Sequence, residues 1–247
     1  GPRFLLSSFN VTVPYKEVVG KYLDRLEPQA KMIGAVNTVF HRNGKWIGTN
    51  TDEYGFRESL RRETQFSPRG ENCLVFGAGG SARAIVAALA KEGAREIVIL
   101  NRTLSRAEKL ARDFQSLFPK VRFRAVSVSS PRKRGSRDTK LCEEINSASL
   151  IVNATSLGLK PNDPSPLPAN FIERAARSQR KIFYDLIYQP AETKFLRLAR
   201  QKGHRTVNGL SMLLYQGTRS FEYWTGKKAP VEVMRRALIT SLRGAES

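Results

Sequence analysis

From Asn72 the chain reads NCLVF, then GAGGSA, then RAIVAALAKEG, then REIVILNRT. A continuous apolar run gives way to a glycine turn, then to apolar residues at helical spacing, then to a second apolar run. That order predicts strand, turn, helix and strand, a βαβ unit in a parallel sheet buried on both faces. The alternation continues downstream. SRAEKLARDFQSLF predicts a helix and VRFRAVSV a strand. ASLIVNATSLG reads as a buried strand ending in a polar turn, and KIFYDLIY as another. TKFLRLARQKG is a helix closed by Gly203, and RTVNG a last short strand. LSMLLYQGTRSFEYWTG and PVEVMRRALITSL predict two terminal helices.

Ahead of residue 63 the pattern is different. NVTVPYK starts with the β-branched residues Val11, Thr12 and Val13 and breaks at Pro14, presenting Lys16 just past the break. A strand end with a solvated lysine is the plain reading. GAVNTVFHRNGKWIGTNTD predicts a hairpin, because Asn43-Gly44 is a strong two-residue turn signal between apolar runs. Thr51 or Asp52 is placed to cap the helix that runs on through EYGFRESLRR. The predicted class is α/β: a Rossmann-type doubly wound parallel sheet domain with a smaller α/β domain before it.

The 247 residues suit one large or two small domains. No apolar run is long enough to span a bilayer, and Phe4–Leu6 is too short for a signal peptide. Two cysteines far apart, Cys73 and Cys142, make no disulfide framework and fit a reducing compartment, so a cytoplasmic location is expected. Two histidines, His41 and His204, leave little material for a zinc site or a Ser-His-Asp triad; both read as surface or loop residues, and no metal is expected. Lys and Arg outnumber acids 42 to 22, a net charge of +20 that favours anionic partners. The densest basic stretch, Pro131–Lys140, has no interleaved aromatic residue and reads as a solvated loop. Nucleic-acid binding would predict a strongly salt-dependent affinity, but no nucleic-acid motif accompanies the charge.

The turn Gly77–Ala82 fits G-x-G-x-x-A. Gly77 allows a tight turn, Gly79 lets the backbone approach a pyrophosphate, and Ala82 permits close helix–sheet packing, with Ala78, Gly80 and Ser81 completing the loop. A helix N-terminus there offers N–H groups and a positive dipole to phosphates. Dinucleotide enzymes that use NAD carry an acid at the end of the next strand. Here that position reads Asn101-Arg102-Thr103. Arg102 is either an exposed strand-end arginine or the partner of a 2′-phosphate. With no acid present, NADP is favoured over NAD. Arg106 either assists or lies on the helix surface.

NVTVPYK, GAVNT, NTDEYGF, GAGGSARA, LNRT, NATSLG, DLIYQP and NGLSMLLYQG occur in this order, and as a set they resemble the shikimate dehydrogenase family. The resemblance runs from about Phe9 to about Leu242. It implies NADP-dependent reversible reduction of 3-dehydroshikimate to shikimate, with Lys16 and Asp52 as a catalytic pair. Thr12, Asn37, Tyr188 and Gln216, with Asp52, look like contacts to the substrate. Asn153, Thr155 and Ser156 look like nucleotide ligands, and Gly209 and Met212 like neighbours of the nicotinamide. The implied domains are residues 1–62 for substrate, 63–208 for NADP, and 209–247 as helices packing back on the substrate domain.

The resemblance also implies a longer segment before the lysine motif, with a Ser-x-Ser pair for the substrate carboxylate. Ser7 and Ser8 do not match it, so the carboxylate site is expected either to be missing or to lie in residues outside this chain. The apolar faces of Val11–Val13 and Ala35–Phe40 then call for another cover, and a homodimer is one. Two alternatives stay open: a quinate/shikimate dehydrogenase with broader cofactor use, and a truncated chain that binds NADP without catalysis.

Overall fold

The computed structural model describes residues 7–128, 136–175 and 179–244. Its strands are β1 (Ser8–Asn10), β2 (Arg25–Leu26), β3 (Thr38–Arg42), β4 (Lys45–Thr49), β5 (Asn72–Phe76), β6 (Glu96–Asn101), β7 (Arg122–Ser127), β8 (Leu150–Asn153), β9 (Ile182–Asp185) and β10 (Arg205–Val207). The α-helices are α1 (Pro28–Ile33), α2 (Asp52–Thr64), α3 (Gly80–Lys91), α4 (Leu104–Leu117), α5 (Ser136–Ser147), α6 (Ala169–Ala175), α7 (Lys194–Gln201), α8 (Leu210–Thr225) and α9 (Val231–Gly244). The chain divides into two compact units, residues 1–62 with 211–247 and residues 63–210.

The first unit holds a mixed sheet of order β1-β3-β4-β2. Asn43 and Gly44 both take positive φ, and Arg42 pairs with Lys45 across them, so the hairpin forms at the expected residues. The strand expected at Val11–Val13 lies earlier. β1 ends at Asn10 after pairing with Thr38, Val11 donates one further bond to the Asn37 carbonyl, and Thr12 then accepts the Tyr15 N–H in a turn. Lys16 sits in the one-turn 3₁₀ segment Tyr15–Glu17. The cover that Val11 and Val39 require comes from within the unit: they cluster with Val36 and Ala30, against Val19, Leu23, Leu26 and Trp46. Val13 instead lies exposed.

The second unit is a six-stranded parallel sheet of order β10-β9-β8-β5-β6-β7. Counted along the unit's own sequence and read from the β7 edge, this is 3-2-1-4-5-6, with its one reversal between β5 and β8, the doubly wound dinucleotide-binding arrangement. All five residues of β5 are buried, because helices cover both faces. Leu74 and Phe76 point into a core with Ile145, Phe171, Phe195 and Leu196 from α5, α6 and α7.

Two readings of the sequence need correction here. The basic loop is partly helix: Ser136–Lys140 open α5, and Pro131–Gly135 lie outside the described residues. His204 is buried, not a surface residue; its Nδ1 accepts the Lys181 N–H at 3.2 Å, its ring stacks on Phe183, and burial lowers its pKa. Lys181 is buried beside it, and its ammonium donates to the carbonyls of Asn146 and Ala148 at the end of α5. Burial lowers the Lys181 pKa to about 8.

Candidate active site

In the first unit, three segments bring polar side chains together. The 3₁₀ turn after β1 carries Lys16, the approach to β3 carries Asn37, and the start of α2 carries Asp52. Lys16 Nζ donates to Asp52 Oδ2 at 2.6 Å, and Asn37 Nδ2 donates to Asp52 Oδ1 at 2.8 Å. Both oxygens of one carboxylate are thereby held, one by a cation and one by an amide. The Lys16 side chain is 13% exposed and that of Asp52 6%, so the pair is largely withdrawn from water. At such a site an ion pair is screened far less than on a surface.

Asp52 does not cap its own helix. The first intrahelical acceptor is the Thr51 carbonyl, which takes the Gly55 N–H, and the Asp52 N–H is met by Asn50 Oδ1 at 3.1 Å. Thr51 therefore stands at the N-cap and the Asp52 carboxylate is left to its neighbours. Asn37 is oriented by two donors on its oxygen, the Thr51 N–H at 2.8 Å and the Thr38 hydroxyl at 2.9 Å. Its nitrogen must then face Asp52, with Gln216 Oε1 at 3.2 Å as a further acceptor.

Gln216 arrives on α8. Gly55 lets that helix come close: a Cβ at Gly55 would meet Gln216 N at 2.8 Å and the carbonyl oxygen of Met212 at 2.7 Å. Ser220, one turn beyond Gln216, is fully buried and meets the hydroxyls of Thr38 at 2.8 Å and Thr51 at 3.1 Å. Sequence reading missed Thr38, Thr51 and Ser220 as parts of this network; only the packed structure reveals them. Thr12 lies exposed beside the lysine turn, and Met212 is buried with its backbone against α2.

In the second unit the turn after β5 meets the turn after β8 at the point where strand order reverses. Phe76 pairs with Asn153, and the Ala154 N–H bonds the Phe76 carbonyl at 2.9 Å. Gly77 has φ +113, and a Cβ there would come 2.9 Å from the Ala154 carbonyl oxygen. No other residue fits both the conformation and the space. α3 opens at Gly80, with the Gly79 carbonyl taking the first intrahelical bond from Arg83, and Ala82 is fully buried against the sheet. An α-helix leaves the N–H groups of its first turn without acceptors inside the helix, and its dipole favours anions there. The glycine cradle at the switch point thus fits a dinucleotide pyrophosphate.

Arg102, Thr103 and Arg106 are exposed at the end of β6, where Asn101 Nδ2 donates to the Thr103 carbonyl at 2.9 Å. Asn153 is fully buried, and its Oδ1 accepts the Thr155 N–H at 3.1 Å and the Thr155 hydroxyl at 2.7 Å. Ser156 continues that turn. Tyr188 is 38% exposed on the segment after β9, beyond the strand that ends at Asp185. Gly209 is pressed onto that segment: a Cβ would fall 1.9 Å from the Leu186 carbonyl oxygen. No group of three or more metal-ligating side chains occurs among the described residues, and no described helix is long and apolar enough to cross a membrane.

Three family models match the chain: the shikimate dehydrogenase substrate binding domain at residues 6–39, shikimate / quinate 5-dehydrogenase at 60–128, and the shikimate 5′-dehydrogenase C-terminal domain at 209–239. Shikimate dehydrogenase (NADP(+)) of Methanopyrus kandleri is 44% identical over 95% of this chain and 77% of its own length. The crystal structure of shikimate 5-dehydrogenase from Thermus thermophilus in complex with NADP(H) and shikimate superposes with a TM-score of 0.76 at 36% identity, covering 95% of this chain and 78% of that one. Shikimate 5-dehydrogenase from Listeria monocytogenes, in complex with shikimate and NAD, gives a TM-score of 0.80 at 34% identity, covering 94% and 78%. With the doubly wound sheet, the glycine cradle and the paired lysine and aspartate in place, the chain belongs to the shikimate dehydrogenase family.

Proposed function

We propose that this chain catalyses NADP-dependent, reversible reduction of 3-dehydroshikimate to shikimate, with Lys16 and Asp52 as its catalytic pair. The observation that carries the assignment of roles is the Lys16–Asp52 contact at 2.6 Å, with Asn37 on the carboxylate's other oxygen. When the carbonyl carbon of the substrate gains a hydride, its oxygen gains negative charge and needs a proton. The Lys16 ammonium stabilises that charge and delivers the proton. Asp52 holds the ammonium in place, and Asn37 holds Asp52.

When bound, the cofactor would supply the hydride as NADPH and accept it as NADP+ in the reverse direction. Gly77, Ala78, Gly79, Gly80, Ser81 and Ala82 receive its pyrophosphate. Arg102, with Asn101, Thr103 and Arg106, receives the adenosine ribose and its 2′-phosphate. The turn Asn153–Ser156 borders the nucleotide from the β8 side, and the buried Asn153 acts there by holding Thr155. Gly209 and Met212 are assigned to the nicotinamide. Thr12, Asn37, Tyr188 and Gln216 are assigned to the hydroxyls of the substrate.

The test is NADP reduction by the 247-residue chain with shikimate, against quinate as alternative substrate and NAD as alternative cofactor. Turnover confined to shikimate and NADP supports the reading. Comparable turnover of quinate with NAD would assign the chain to the broader quinate/shikimate activity instead. NADP binding with no turnover of either substrate would leave a binding chain and remove the catalytic reading.

A further inference from the structure

Asp185 closes β9 with no solvent exposure, and the chemistry above makes no use of it. Three donors converge on it. Asn153 Nδ2 at 3.0 Å and the Ile187 N–H at 3.1 Å meet Oδ1, and the Thr193 hydroxyl at 2.7 Å meets Oδ2. Each donor comes from a different place at the carboxyl edge of the parallel sheet: the end of β8, the segment after β9, and the N-cap of α7. All three are neutral, and the charged residues flanking Thr193, Glu192 and Lys194, are exposed.

A carboxylate buried without a cation among its hydrogen-bond partners is costly. Burial raises the Asp185 pKa to about 6 in spite of the three bonds. What a carboxylate offers in return is two oxygens with several acceptor sites, enough to gather donors from three segments at once. Through Asn153 the tie continues to Thr155 and to the Leu157 carbonyl, which Asn153 Nδ2 also meets at 3.0 Å. The next residue after Asp185, Leu186, bonds the Asn153 carbonyl and is the one that Gly209 presses against. The turn after β8, the segment bearing Tyr188, and the turn at Gly209 therefore share one fixed point.

We propose that Asp185 is a positioning residue for cofactor binding: by accepting hydrogen bonds from Asn153, Ile187 and Thr193 it sets the Asn153–Ser156 turn and the neighbouring loops in the geometry that receives NADP. The proposal rests on the assignment of NADP to the β5–β8 switch point. Asparagine at this position keeps one oxygen for Asn153 and Ile187, while Thr193 can turn its hydroxyl to accept. Leucine leaves all three donors unmatched.

The experiment measures NADP dissociation constants and steady-state parameters for the wild type, Asp185→Leu, Asp185→Asn and Thr193→Val, with folding followed by circular dichroism. Asp185→Leu is expected to weaken NADP about tenfold or more, the effect of stranding buried donors, with a smaller change in kcat at saturating cofactor. Asp185→Asn is expected to restore binding to within about threefold, and Thr193→Val to fall between. Folded Asp185→Leu that binds NADP as the wild type does would overturn the proposal. So would Asp185→Asn as damaging as Asp185→Leu, since charge and not hydrogen bonding would then matter. If Asp185→Leu does not fold, Thr193→Val decides, and unchanged NADP affinity there overturns it. A wild type that binds no NADP would fail the cofactor assignment and this proposal with it; wild-type binding with unaffected variants fails this proposal alone.

Discussion

Asn37 donates to Asp52 Oδ1 while Lys16 holds Oδ2, so the amide and the ammonium share one carboxylate from opposite sides. The amide has no choice of face. Its oxygen is taken by the Thr51 N–H and the Thr38 hydroxyl, and turning it over would set its nitrogen against a backbone donor. Orientation passes from the N-cap of α2 through Asn37 to Asp52 and on to Lys16.

Replacing Asn37 should therefore damage turnover more than an ordinary substrate contact would. Asn37→Ala strands the Thr51 N–H and one Asp52 oxygen in a buried site, at a cost of about 1–3 kcal/mol. The expected result is a fall in kcat of about tenfold to a hundredfold, on the same energetic footing. NADP affinity should stay near that of the wild type, because the cofactor cradle lies in the other unit. Steady-state kinetics with both ligands varied will show it. A rise in KM for shikimate with kcat untouched would mean that Asn37 only binds substrate.

Lys16 and Asp52 should behave as one device. Lys16→Met removes the proton donor, and a loss of roughly 10²–10⁴ in kcat is expected. Asp52→Asn keeps the shape but removes the charge that holds the ammonium. If the two act together, the double variant will be little worse than the poorer single one, as coupled catalytic groups are. Losses that simply multiply would show that the 2.6 Å contact is structural and that the two residues act apart.

Arg102 makes the cofactor prediction. It is exposed at the end of β6, at the position where an acid would select NAD. A charge-assisted bond to a phosphate is worth about 1.5–3 kcal/mol. Arg102→Ala should thus raise KM for NADP about tenfold to a hundredfold on that basis, with little change for NAD. Parallel losses for the two cofactors would place the 2′-phosphate elsewhere.

The sequence carried some of these features openly and hid others, for physical reasons. The glycine cradle was legible because only glycine meets the constraint at Gly77, and the hairpin because Asn43-Gly44 favours one turn. The strand at Val11–Val13 was misplaced because β-propensity reports side-chain shape, whereas pairing with β3 stops at Asn10. α1 went unseen: its six residues are too few for a periodicity signal. His204 read as a surface residue because nothing local reveals a ring stacked on Phe183. The same holds for Thr38, Ser220 and Asp185. Thr38 and Ser220 meet across 182 positions of sequence, and Asp185 reaches Asn153 across 32.

Asp185 also predicts how stability should vary with pH. Its pKa is raised from the usual 3.8 to about 6 in the folded chain, chiefly by burial. Between those two values the folded state holds a proton that the unfolded state has released. Raising the pH through this window therefore costs stability, and the contribution is fully present only below the lower value. The shift corresponds to about 3 kcal/mol. Asp185→Asn carries no titrating group at this site and escapes the penalty. Urea unfolding of both chains at about pH 4.5 and about pH 7.5 isolates the effect, because every other titration cancels in the difference. The wild type should lose ground to Asp185→Asn as pH rises, by about 1–3 kcal/mol over that span. A difference that stays constant would mean that Asp185 titrates as an ordinary carboxylate and that its three hydrogen bonds fully offset its burial.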